Sequence, residues 1–283
     1  MAAVDTYGAT IAKRRVARRL MELRLRSGYT ANQACDKLNW GRGKVGRFEA
    51  NVWRRPEMSD IRDLLRIYGA SNEEAEELER LAVVARRRPW WRDYPEVFGD
   101  SEFPGYESDA SRISVYMPLV VPGLLQTPAY VEALTGRSPR PPEWRKTAVE
   151  ARLRRQEILH RGDSAPKLVA VITEAALMYR WGTQADRRAQ VTHLVEMSRR
   201  SNVELRLFRF ADGLHPGNSG MINIFDFPGD PSLVWLETDT TLKEVSDKED
   251  AAMHMTLFNE IHAAAMDPAR STEHLVMLAE TLE

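Results

Sequence analysis

Residues 29–56 constrain this chain more than any other stretch: Tyr-Thr-Ala-Asn-Gln-Ala-Cys-Asp-Lys-Leu, then Asn-Trp-Gly, then Arg-Gly-Lys-Val-Gly-Arg-Phe-Glu-Ala-Asn, then Val-Trp-Arg-Arg-Pro. The pattern predicts two short helices joined by a tight turn. Thr30 offers the oxygen an N-cap needs, for a helix running to Leu38. Gly41 is placed to cap the next helix, and Asn51 suits a left-handed residue at its C-terminal end. At about 100° per residue, Val45 and Phe48 fall on one side of that second helix. The opposite side holds Gly43, Gly46 and Ala50, edged by Arg42, Arg47 and Lys44. Each glycine inside a helix costs roughly 1 kcal/mol relative to alanine, so a helix with two must gain something from them. Close approach to a large partner is one such gain. A helix in the DNA major groove needs that clearance, and arginine can bind guanine O6 and N7 through two donors. The bland alternative is a weak surface helix with solvated arginines.

The spacing from Leu38 to Phe48, with the trailing Arg54-Arg55-Pro56, resembles the Xre type of helix-turn-helix repressor. The resemblance runs from about Ile11 to Gly69. It implies base contacts from Arg42, Gly43 and Arg47, with Lys44 beside them, and contacts from Arg54 and Arg55 to the DNA backbone or minor groove. Thr30 and Asn32, at the start of the preceding helix, complete the implied DNA-binding set. It also implies that Arg24 and Glu49 pair, linking the first helix to the end of the reader helix. The sequence departs from the family twice. The usual phosphate-binding glutamine at the start of the second helix is Ala31, and Gly43 has no side chain with which to read a base.

The charge distribution agrees with a nucleic-acid partner. The formal net charge is −1, which hides a division. Residues 1–68 hold 15 Lys and Arg against 7 Asp and Glu, a net of +8, and the rest hold 25 against 34, a net of −9. A basic module gains phosphate affinity through counterion release, and an acidic one does not. The lone Cys35 has no partner for a disulfide, and beside Ala34 it reads as a small buried hydrophobe. The N-terminus has no charged-then-apolar leader and no apolar run approaches the ~20 residues that span a bilayer, so the expected location is cytoplasmic, with no membrane association.

Taken in order, residues 11–26 read as a helix with Val16, Leu20 and Leu23 inward. Lys13, Arg14, Arg15, Arg18 and Arg19 crowd its N-terminal half, the unfavourable end for cations, and DNA phosphate is the expected remedy. Pro56 opens a helix with Ile61, Leu64, Leu65 and Tyr68 inward, ending at Gly69. Ser71 and Glu74 form a capping box for a helix over 73–88, read as a connector carrying Arg86, Arg87 and Arg88 in its last turn. Residues 94–104 read as irregular, 107–116 as a helix, and the proline-broken 118–128 as no single element. Helices follow over 129–135 and 143–161, a buried strand over 167–173 and an amphipathic helix over 184–201. Strands over 203–210, 220–227 and 232–238 predict an antiparallel sheet, closed by helices over 248–266 and 271–282. The fold class expected is α+β: an all-α helix-turn-helix domain over 10–69, a connector over 70–89, and a larger α+β domain over 90–283.

Three short segments of that larger region, Val121-Pro-Gly-Leu-Leu-Gln-Thr127, Glu174-Ala-Ala-Leu177 and Leu214-His-Pro-Gly217, resemble a large actinobacterial group of Xre regulators. Their C-terminal domain has no assigned chemistry. This resemblance implies regulation, and often a small companion protein. The sequence carries no enzyme signature. The six histidines have no metal-ligand spacing, and no nucleophile elbow, Walker loop or dinucleotide fingerprint follows a strand, so neither metal nor cofactor is expected. Glu174, after the first strand, and His215, in a loop, are the candidates for a ligand or partner site, against the plainer readings of a capping carboxylate and a hairpin loop. Trp90, Trp91 and Trp181 read as packing rather than as a binding surface.

The sequence thus predicts a non-enzymatic transcriptional regulator that binds double-stranded DNA as a homodimer. Its C-terminal domain would serve dimerisation, a companion protein or a small-molecule effector. The alternative is an interaction scaffold whose acidic domain docks a partner and whose helix-turn-helix does not read DNA.

Overall fold

In the computed structural model, which describes residues 8–53, 57–217, 220–237 and 242–281, the chain forms two units. One comprises the residues up to Asp93 together with Asp100–Asp109; the other comprises Tyr94–Gly99 and the residues from Ala110 onward.

The first unit is helical. Helices α1 (Ala9–Arg26), α2 (Ala31–Lys37), α3 (Lys44–Glu49), α4 (Met58–Tyr68) and α5 (Asn72–Ala85) turn their apolar stripes toward a common core. Ile11, Val16, Leu20 and Leu23 of α1, Ile61, Leu64 and Leu65 of α4, and Leu78, Leu81 and Ala82 of α5 are all buried, and α1 packs against both α4 and α5. Helix α5 begins with the expected reciprocal capping box of Ser71 and Glu74. It is not a free-standing connector, however: it packs chiefly along α1 and also on α4, because neither α1 nor α5 can bury its apolar face alone. It ends at Ala85, so Arg86–Arg88 lie beyond its last turn. Arg86 reaches Glu57 at 3.5 Å and Arg88 reaches Asp93 at 3.1 Å. After a short 3₁₀ turn at Trp90–Asp93, α6 (Pro95–Phe98) belongs to the second unit, and α7 (Phe103–Asp109) returns to the first and packs on α1.

The second unit is built on a six-stranded sheet in the order β3-β2-β1-β4-β5-β6. The elements in chain order are β1 (Arg112–Met117), α8 (Pro128–Gly136), α9 (Pro142–Gln156), β2 (Lys167–Thr173), α10 (Ala175–Met178), α11 (Gln184–Ser198), β3 (Val203–Phe208), β4 (Met221–Phe227), β5 (Asp230–Glu237), β6 (Leu242–Glu244), α12 (Lys248–Ala264) and α13 (Pro268–Thr281). On one face Tyr116, Val169, Val171, Phe208, Ile222, Ile224 and Val234 pack against Phe258 and Ile261 of α12. By alternation and register, Val115, Asn223 and Trp235 lie on the other face.

The α+β class holds, while the sheet is mixed rather than antiparallel. β1 pairs with β2, and β2 with β3, in parallel; β1-β4-β5-β6 is antiparallel. The difference traces to residues 107–116, expected as one helix. They are the end of α7 and most of β1, a central strand buried on both faces that offers no alternation to read. The helical crossovers from β1 to β2 and from β2 to β3 are what a parallel pairing requires. Elements α6, α10 and β6, three or four residues each, lay below what periodicity can show. The expected strand end at Thr238, the helix opening at Pro56 and the helix end at Leu282 fall outside the described residues.

Candidate nucleic-acid interface

Helices α2 and α3 and the turn between them form the site. Thr30 caps α2 as the sequence predicts: its hydroxyl accepts from Gln33 N at 3.2 Å, and Gln33 Oε1 accepts from Thr30 N at 2.8 Å. Both side chains therefore satisfy the free donors of the helix start. Asn32, next along, is exposed. The turn is closed by Trp40 N donating to Cys35 O at 2.9 Å, with Asn39 in the left-handed region at φ 53°. Cys35 is fully buried.

Two expectations about α3 are corrected. Its N-cap is Gly43, not Gly41, and Gly43 sits at φ +80°, a conformation that L side chains rarely adopt. Gly43 is thus required by the backbone of the turn, and only Gly46 is a glycine within the helix. A Cβ added at Gly46 would meet nothing within 4 Å, so its side of α3 is open. Arg42 consequently lies in the turn, ahead of the helix, and is exposed like Arg47. Asn51 follows the helix at φ 58°, left-handed as expected.

The helix is short, so its position depends on what grips it. Val45 and Phe48 are buried, and the Phe48 ring lies 4.9 Å from that of Trp53 and 6.3 Å from that of Trp40. At the C-terminal end Arg24 donates to both oxygens of Glu49, at 2.5 and 2.9 Å, and to Tyr29 O at 2.7 Å. With side chains only 12% and 11% exposed, the pair is a planar fork facing a carboxylate in a partly dry setting. Glu49 raises the Arg24 pKa still further, chiefly through the hydrogen bond. Burial, and then the Glu49 charge, push the Tyr68 hydroxyl well above its usual range. Lys44, expected beside the base contacts, is turned inward: its Nζ is 2.7 Å from Asp60 Oδ1 and 4.0 Å from the Trp40 ring centroid.

The cations of α1 are also engaged within the protein. Lys13 Nζ is 2.9 Å from Glu102 Oε1, Arg14 lies over Tyr106, 5.5 Å from the ring centroid, and Arg19 is 2.7 Å from Glu22. The N-terminus of α1 is closed by Asp109, whose Oδ2 accepts from Thr10 N and Ile11 N, both at 3.0 Å. Gly8 permits that approach, since a Cβ there would collide with the Asp109 carboxylate. A carboxylate at a helix start opposes the dipole repulsion that the sequence assigned to DNA phosphate. Glu102 also accepts from Asn51 Nδ2 at 3.4 Å, and so reaches the residue that ends the reader helix. Nothing in the sequence pattern singled out Glu102 or Asp109. The carboxylate after an irregular, proline-rich segment was the available signal. Arg54 and Arg55 lie outside the described residues.

Of the two candidate residues in the second unit, Glu174 is a clamp. Its Oε2 accepts from Phe210 N at 2.8 Å and its Oε1 pairs with His274 Nε2 at 3.2 Å, tying the ends of β2 and β3 to α13. His215 stacks on Phe208 at 4.2 Å and its Nδ1 accepts from Gly217 N at 3.2 Å. Burial lowers the His215 pKa. No hydrogen bond or ring contact joins Glu174 to His215 among the described residues. Trp181 packs edge-on against Tyr130 at 4.8 Å.

Comparison with known families gives two matches. Residues 15–78 match a family model described as a helix-turn-helix domain. Residues 101–276, more than half of the chain, match one described as a domain of unknown function, DUF5753. The chain belongs to the DUF5753 family. Its DUF5753 region begins inside the first unit, where Glu102 and Asp109 grip α1, and continues through the sheet to α13. No curated protein and no solved structure matches the chain. Among the described residues no helix is long and apolar enough to cross a membrane.

Proposed function

We propose that the protein is a sequence-specific DNA-binding transcriptional regulator of the Xre type, of actinobacterial kind and cytoplasmic, acting as a homodimer and without catalytic activity. One observation carries the reading. The Arg24–Glu49 pair and the Trp40–Phe48–Trp53 stack hold α3 rigidly, while Arg42 and Arg47, at its start and on its outer side, have no ion pair among the described residues. A fixed short helix with free guanidiniums in the turn before it, Arg42, and on its exposed side, Arg47, suits direct readout in the major groove. Arg47 and Arg42 would read bases. Thr30, Asn32 and the Gly43 backbone would meet the DNA beside them, and Arg54 and Arg55 would meet phosphate or the minor groove. Lys44 would join only by leaving Asp60 and Trp40.

The unit from Ala110 onward would hold two reader helices about 34 Å apart, one turn of DNA, or respond to a companion protein or effector that alters that geometry. Sequencing of DNA fragments that co-purify with the full chain tests the reading. A recurring two-fold motif with half-sites one turn apart is expected. Fragments with no shared motif would favour the scaffold alternative, in which the acidic domain docks a partner.

A further inference from the structure

Helix α11 buries Val191, Leu194, Val195 and Met197 and turns Arg188, Thr192, Glu196 and Arg199 to solvent. Steps of four, four and three keep those exposed residues on one face. Helix α13 packs along α11, and between the two lies an open groove of about 560 Å³. Apolar Val195 and Val276 line it together with Arg188, Glu196, Arg199 and Glu280, two charges of each sign.

Several exposed charges elsewhere find partners within the chain, as Arg209 does with Asp212 and Arg62 with Glu79. The four in the groove form no ion pair and no side-chain hydrogen bond among the described residues. Arg188 and Glu196 stand two turns apart, about 12 Å along the helix at 1.5 Å per residue, and so cannot satisfy each other. Thr192 lies midway between them. A two-fold axis at Thr192, with a second α11 running antiparallel, carries Arg188 onto the partner's Glu196 and Glu196 onto the partner's Arg188. The same axis sets Arg199 against Ala185 and Val195 against Ala189, so no like charges meet. A parallel pairing in register would instead stack Arg188 on Arg188 and Glu196 on Glu196. Thr192 and Ala189, near the axis, are small enough to let two helices approach and pack ridge into groove.

We propose that this face of α11, with the groove it shares with α13, is the surface through which two copies of the chain associate, antiparallel and two-fold about Thr192. The opposed charges set the register and reject the parallel arrangement, and the α11 ridge of each copy enters the groove of the other. The inference rests on the homodimer proposed above and names the surface that forms it.

Sedimentation equilibrium of the full chain without DNA provides the test. The parent chain should be a dimer whose association weakens as salt is added. Arg188→Glu sets a carboxylate against Glu196 on both sides of the axis, and Glu196→Arg sets a guanidinium against Arg188 on both sides. Each should weaken association about tenfold or more, and because both positions are exposed the circular dichroism of each variant should match the parent's. The chain carrying both changes should regain the parent's dimer, and an equimolar mixture of the two single variants should form a mixed dimer. A purely structural role within one helix would give no such exchange between chains. If both single variants dimerise like the parent, the surface lies elsewhere: this proposal falls and the homodimer stands. If the single variants dissociate and neither the doubly changed chain nor the mixture recovers, the antiparallel pairing is wrong. A monomeric parent would assign the face to a different partner and would overturn this proposal and the homodimer together, leaving the DNA-binding reading to its own test.

Discussion

The N-terminal half of α1 and the turn-and-helix around α3 are both rich in cations, and the structure treats them in opposite ways. At α1, Lys13 meets Glu102, Arg14 lies on Tyr106, and Asp109 caps the helix. At α3, Lys44 is drawn to Asp60, but Arg42 and Arg47 face outward. Positive charge in the sequence therefore does not locate a DNA surface by itself. On the proposed reading, what locates it is the set of cations that the rest of the fold leaves without carboxylates. Charge held near the surface by an internal acid gains little from phosphate, because the acid must be abandoned or its field accepted.

The largest test of this contrast concerns α7. A fragment of residues 1–109 should unfold cooperatively, whereas residues 1–88 lose the buried Phe103 and Tyr106 and the Asp109 cap. The shorter fragment should be less stable by roughly 4 kcal/mol or more, from burial of two aromatic residues plus one cap, as read by urea denaturation. Equal stability would mean that α7 does not brace α1. Next is the grip on α3: Glu49→Ala should cost roughly 2–3 kcal/mol of stability by leaving Arg24 partly buried without its partner. A loss no larger than that of breaking the solvent-screened Arg62–Glu79 pair would show the reader helix to be held by other means.

Arg47→Ala should cost about 1–3 kcal/mol in operator binding and relax sequence preference, while Lys13→Ala should leave DNA affinity nearly unchanged. Titrations against specific and random duplexes check both, and the reverse ranking would move the interface to α1. Asp109→Ala should remove only the cap, lowering stability by about 1 kcal/mol and fraying the first turn of α1 in amide exchange.

The smallest effect compares the two units through pH. All six histidines lie in the second unit's sequence, and burial lowers the pKa of His193 and His215. A histidine whose folded pKa is depressed contributes stability that is complete above its unfolded value, 6.5, and declines as pH falls below it. Acidification from pH 7 to 5 should therefore weaken the second unit while sparing the first. The first unit should respond only below the ordinary glutamate value of 4.5. There Glu74, held down to about 2 by Arg26 and by the Ser71 amide, progressively loses its share. Fluorescence and amide exchange across that range separate the two units.

Much of the helical unit was legible in the sequence. Thr30 and Ser71 announced their caps, and the spacing of Val16, Leu20 and Leu23 and of Ile61, Leu64 and Leu65 marked the inner faces. The pairing of Arg24 with Glu49 came from resemblance rather than periodicity, and the two side chains do meet. β1 was not legible, because a strand buried on both faces carries no alternation, and with it went the parallel half of the sheet. Glu174 was visible as a carboxylate at a strand end. Its clamp to His274, a hundred positions away, was not.

The sequence by itself determined where helices start and which sides of them are apolar, because capping and amphipathic spacing act over a single turn. It also determined that positive charge gathers in the first 68 residues. Only the tertiary structure decided which of those charges remain available. The carboxylates that meet Lys13 and cap α1 come from 89 to 99 residues along the chain, and a separation of that length leaves no periodic trace. Gly43 shows the same limit locally. Its place in the sequence suggested clearance for DNA, and its φ of +80° shows that the turn itself requires it.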